Sequence, residues 1–235
     1  MRYGLAVGLS LVLLGTVRVG CADDKQAERL EKSAEVITDI MKIPDKGIPP
    51  DLLNKAVCVG IIPSEKKGAL GVGASYGRGA MVCRRAGNGA WGAPSMFTVE
   101  GLNLGFQLGG QATDFVLLVM NGGGAVKLLH DKTKLGADAS AVGGPVGRSA
   151  EGATDLQLHS EILTYSRSRG AFAGVSLDGQ ILRQDHDSNQ KLYGRKIAPE
   201  DILFKGAAPP PAAAKPLDAA LTRFSPHGGE PVHIK

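Results

Sequence analysis

The sequence predicts an α+β domain: an antiparallel, barrel-like sheet of short, Gly-rich strands, with an N-terminal amphipathic helix and a few short helices. Three observations lead there. First, 33 glycines and only 5% aromatic residues in a chain of 235 do not suit an ordinary helical bundle, while 43% hydrophobic residues suffice for a core. Second, many short β-prone segments are divided by Gly, Pro, Asn and Asp turn signals. Third, the run Gly68–Gly79 alternates with a period of two. In an extended strand Leu70, Val72, Ala74 and Tyr76 share one face, and Gly71, Gly73, Ser75, Gly77 and Gly79 share the other. Leu102, Leu104, Phe106 and Leu108 repeat the device against Gly101, Asn103, Gly105, Gln107 and Gly109. Glycine inside a strand costs about 0.5–1 kcal/mol relative to alanine. Several in register therefore imply a close approach to the bare face, by a helix, another backbone or a ligand such as an acyl chain.

The elements follow in order. Residues 1–22 read as a signal peptide: Arg2 supplies the charge, and Leu5–Val17 is a 13-residue apolar stretch, too short to span a bilayer comfortably. Gly20-Cys21-Ala22 resembles a small-residue cleavage site. Val19-Gly20-Cys21 resembles the end of a lipobox, which would leave Cys21 lipidated, although Arg18 stands where a lipobox prefers Leu. Both readings export the chain to the periplasm or the outer membrane. Export makes a Cys58–Cys83 disulfide possible, with two buried thiols as the alternative.

Residues 24–205 read as a single domain. Ala27, Leu30, Ala34, Ile37 and Met41 recur at helical steps over 24–43 with balanced charges, so this helix is expected to pack on the domain. Pro49-Pro50-Asp51 starts a short helix to Lys55. Strands are predicted at Ala56–Ile62, along the glycine run, and at Ala80–Arg85, Met96–Glu100, Leu102–Leu108, Asp114–Met120, Leu135–Val142, Leu156–Ser166 and Ala171–Leu177. Gly87-Asn88-Gly89 and Asp178-Gly179 mark turns. Short helices are expected at Ala125–His130 and 185–193. From Gly206 the Pro/Ala-rich composition predicts that 206–235 is a disordered tail.

Charge excludes a nucleic-acid footprint: removing the leader residues Arg2 and Arg18 from 27 basic residues leaves 25 against 23 acidic. Anion binding then depends on local clusters. Lys66, Lys67, Arg148, Arg167 and Arg169 fall where strands end, and Arg78 lies inside the glycine run. Guanidinium forks and turn N–H groups suit phosphate head groups, and a solvated surface is the alternative for each residue. Catalytic signals are weak. Gly73-Ala-Ser-Tyr-Gly77 matches a nucleophile elbow around Ser75, but the elbow needs a strand, a sharp turn and a helix, and here strand pattern continues. Five histidines lack paired metal spacing. No catalytic residue, metal or cofactor is expected.

The order of several motifs resembles the SYLF domain family. Ala56–Pro63 is followed by Lys66-Lys67-Gly68, Gly71–Gly79 and Trp91-Gly92-Ala93-Pro94. Asp114–Asn121, Leu135–Ser140, Gly144-Pro145-Val146-Gly147-Arg148 and Ser166–Gly179 come next. The resemblance covers roughly residues 30 to 194. It implies a non-enzymatic protein of the bacterial envelope that binds anionic phospholipid or a membrane surface. The alternative is a structural or protein-interaction module without lipid recognition. Some eukaryotic members bind actin; that activity is not expected to carry over, because actin is absent from a bacterial envelope.

Overall fold

The computed structural model describes residues 24–43, 47–63, 74–85, 89–102, 113–147, 159–168 and 171–226. The Leu102–Leu108 repeat, apart from Leu102, and the signal segment lie outside them. Among the described residues, nine strands form one sheet: β1 (Cys58–Ile62), β2 (Ala74–Cys83), β3 (Ser95–Leu102), β4 (Thr113–Val119), β5 (Lys132–Lys134), β6 (Ala141–Gly143), β7 (Ile162–Ser168), β8 (Ala171–Gly174) and β9 (Ile181–Gln184). Their spatial order is β5-β9-β3-β2-β1-β4-β7-β6, with β8 on β7. The sheet curls into a half-barrel, as the expected α+β class requires. It is mixed rather than antiparallel, because β6 runs parallel to β7. The long 144–161 connection makes this parallel pair feasible. The described part of the glycine run, from Ala74, and Ala80–Cys83 are one strand, not two.

Helix α1 (Asp24–Met41) buries Leu30, Ala34, Ile37 and Ile40 against the sheet, so its apolar stripe is spent within the domain. Helices α2 (Pro50–Lys55) and α3 (Gly122–Leu128) follow; α3 starts where Asn121 Oδ1 accepts from Gly124 N at 2.9 Å. Helix α4 (His186–Tyr193) is capped by Asp185, whose Oδ1 accepts from Ser188 N at 3.0 Å. Helix α5 (Pro199–Leu203) leads to α6 (Lys215–Phe224).

The expectation of a disordered tail from residue 206 is therefore corrected through residue 226. Leu217, Ala220 and Leu221 are spaced at helical steps and buried against α1. The Pro/Ala run ahead of them obscures this short amphipathic stripe. Residues 227–235 lie outside the described set.

The sheet packs a core on each side. Val59, Ile61, Ala80, Val82, Val116 and Leu118 meet α1, α2 and α6 on one face. Cys58, Ile62, Met81, Phe97, Leu117 and Leu182 meet α3 and Leu203 on the other. Cys58 and Cys83 face each other across β1 and β2 and are joined by a disulfide. No described helix is long and apolar enough to cross a membrane.

Candidate functional site

Of the basic residues singled out above, Lys66, Lys67, Arg148 and Arg169 lie outside the described residues, as does Cys21. Arg78 and Arg167 are described, and the fold does not bring them together. They sit on β2 and β7, with β1 and β4 between, which is about 14 Å of sheet. Arg167 is engaged by two carboxylates: Asp114 Oδ2 at 2.8–2.9 Å and Asp39 Oδ2 at 2.7 Å. Burial pulls its guanidinium down, but the bonds to Asp39 and Asp114 outweigh this and raise its pKa. Its charge ties α1 to β4 and β7.

The bare glycine face is occupied by the protein itself. A Cβ on Gly79 would lie 2.6 Å from the Phe97 ring and 2.5 Å from Ile61 O, and one on Gly77 would lie 2.7 Å from Ile62 Cγ2. Phe97 is paired with Gly79 and reaches Gly60, where a Cβ would sit 3.3 Å from its ring. The glycines thus make room for one aromatic ring across two strands. The acyl-chain reading of this face gives way to internal packing over residues 77–79. Ser75 sits within continuous β2, paired with Gly101, and lacks the strand–turn–helix setting of a nucleophile elbow.

The opposite face of β2 is different. Arg78 pairs with Thr98, Thr98 with Arg183, and Arg183 with Lys132. In the next row Tyr76 pairs with Glu100, Glu100 with Ile181, and Ile181 with Lys134. Directly paired residues point to one side of a sheet, so Tyr76, Arg78, Arg183, Lys132 and Lys134 share a face across four strands. Tyr76 is 56% exposed, and both lysines are exposed. Arg78 stacks over Tyr76 at 5.4 Å and donates from Nε to its hydroxyl at 3.0 Å, which holds the guanidinium in place. Glu100 supplies the counter-charge within this group, accepting from Arg183 Nε at 3.1 Å. Among the described residues, no ion pair engages the side chain of Lys132 or Lys134. Arg78, Arg183, Lys132 and Lys134, with Glu100 among them, make a cationic ladder on a face that α1 and α4 cover only farther along β2 and β3. Sequence reasoning placed only Arg78 in it. Arg183, Lys132 and Lys134 lie on strands of three and four residues whose charges read as loop.

Arg84 is another arginine that sequence reasoning passed over. It is 2% exposed and has no carboxylate partner among the described residues. Its Nε donates to Ala56 O at 3.2 Å and Nη1 to Gly89 O at 2.6 Å. Nη1 and Nη2 also reach Ser225 O at 3.4 Å, and Nη2 donates to Ser225 Oγ. The guanidinium lies 3.9 Å from the Trp91 ring centroid, and Trp91 Nε1 donates to the same Ser225 O at 3.2 Å. Burial lowers the Arg84 pKa to about 10.

The described residues thus form a curled sheet backed by helices, with a cationic strip on one face. The chain belongs to the Ysc84, or SYLF, family: residues 100–224 match the family described as Ysc84, Las17-binding protein actin regulator. SH3 domain-containing YSC84-like protein 1 of Homo sapiens is 36% identical over 202 residues, covering 83% of this chain and 58% of the relative. The Rattus norvegicus protein of the same name is 35% identical over the same coverage. LAS seventeen-binding protein 3 of Saccharomyces cerevisiae is 33% identical over 211 residues, covering 85% of this chain and 45% of the relative. The chain thus spans about half the length of these relatives. The family match runs through α6, so the family's domain extends beyond residue 205. These names overturn the expectation that actin is an unlikely partner. The family is described as an actin regulator, and the yeast relative is named for binding Las17. The names are those of binding or adaptor proteins.

Proposed function

We propose that this chain is a non-enzymatic, exported lipid-binding protein that recognises acidic phospholipid head groups through the ladder Arg78, Arg183, Lys132 and Lys134. The observation that carries the reading is the register, which lines these cations up on one exposed sheet face. The spacing between neighbouring strands, about 4.8 Å, lets adjacent rungs meet separate phosphate oxygens or neighbouring head groups. Tyr76 adds an exposed aromatic ring with a polar tip, suited to a wet interface. Export is supported by the Cys58–Cys83 disulfide, since such bonds persist in oxidising compartments.

Vesicle flotation tests the reading. The full chain is expected to float with vesicles containing anionic phospholipid, to stay behind with phosphatidylcholine alone, and to release as salt rises. Equal recovery with both vesicle types would overturn it. A second reading, a protein-interaction module, is favoured by the relatives' names. Equal, negligible flotation together with retention of a protein partner by the full chain would favour that reading.

A further inference from the structure

We propose that residues 206–226 form a strap that opens and closes as one unit, with Ser225 as its catch in a pocket built by Arg84 and Trp91. The strap adds no strand to the sheet. At its start, Ala207 N donates to Asp201 O at 3.0 Å and Ala207 O accepts from Arg195 Nη2 at 2.8 Å. Its middle meets the domain through apolar side chains: Ala214, Leu217, Ala220 and Leu221 lie against α1. Its far end is polar and fully buried. The single carbonyl of Ser225 receives both terminal nitrogens of Arg84 and the indole N–H of Trp91. The Ser225 hydroxyl accepts from Arg84 and donates to Asn54 Oδ1 at 2.6 Å.

This pocket is assembled by three separate segments: Arg84, next to the end of β2, and Trp91 supply the donors, and Asn54 of α2 supplies an acceptor for the Ser225 hydroxyl. Ala56 O and Gly89 O accept from Arg84 as well, but Ser225 is the acceptor that Arg84 and Trp91 share. A buried guanidinium without its acceptors is costly, whereas the same group in water is fully solvated. The contact therefore has two stable arrangements: seated and dry, or withdrawn and hydrated. Intermediate positions leave donors unmet, so the catch favours all-or-none movement of the strap. Opening uncovers the apolar side of α1 on which α6 rests, while the β1–β2–β3–β4 hydrogen-bond ladder stays closed.

Hydrogen exchange on the full chain tests this. In Ser225→Ala the α6 amides are expected to exchange about tenfold faster, or more, while those of β1 and β4 are unchanged. Unchanged α6 amides, or equal acceleration in α6 and β4, would overturn the proposal. A second measurement needs no substitution. Under rising urea, the wild-type α6 amides should converge on one opening isotherm below that of β1 and β4. Trp91, the sole tryptophan, should shift its emission with α6. One isotherm shared by the strap and the sheet would overturn the proposal.

Discussion

The two faces of β2 use the same backbone for opposite ends. On one, Gly77 and Gly79 carry no side chain, and Phe97 and Ile62 fill the space they leave. On the other, Tyr76 and Arg78 stand in a row of charged and polar side chains that continues over β3, β9 and β5. The glycines serve the closed face. They let a large ring cross from β3 towards β1 and so hold three strands in one curved sheet. The open face carries its charge at a strand edge, where lysines also discourage pairing with another chain. Scarcity of side chains on a strand thus marks internal packing here, while the exposed chemistry lies on the other side.

The largest effect should come from breaking the closed face. Phe97→Ala removes the ring that Gly79 and Gly60 accommodate and, with glycines on both sides, leaves a cavity no neighbour can readily fill. It is expected to destabilise the domain by about 3–5 kcal/mol, read as a lowered urea midpoint. A loss under 1 kcal/mol would mean that the ring is not the filler of that face.

A smaller effect should separate the two kinds of arginine. Arg167→Ala leaves the mostly buried carboxylate of Asp114 without its guanidinium and is expected to cost about 1–3 kcal/mol. Its vesicle binding should stay at wild-type level once the protein is folded. Loss of flotation by folded Arg167→Ala would return this residue to the candidate site and weaken the contrast between the engaged and the exposed arginine.

Much of the fold is legible from period and punctuation. The apolar runs of β1 and β4 and the stripe of α1 rest on local rules that the fold obeys. The alternation of the glycine run is also legible for residues 76–79, but what meets its bare side is not. Phe97 lies on another strand, and only register brings it over Gly79. The ladder is harder still. Lys132-Thr133-Lys134 and Ile181-Leu182-Arg183-Gln184 are too short and too charged to register as strands. They become strands because each borrows hydrogen bonds from a neighbour: β5 from β9, and β9 from β3. Arg84 was hidden for a similar reason, since the acceptor it shares with Trp91 lies 141 residues away at Ser225. The Pro/Ala composition before α6 pointed to disorder, yet a short apolar stripe and one buried catch suffice to dock it.

The measurement closest to the central claim is flotation on anionic vesicles of Arg78→Glu/Lys132→Glu/Lys134→Glu beside the wild-type chain, with folding checked by far-UV circular dichroism. The triple variant should remain folded, because these side chains are on the open face, and should lose at least about tenfold of its vesicle affinity. Wild-type affinity in the folded triple variant would contradict the account.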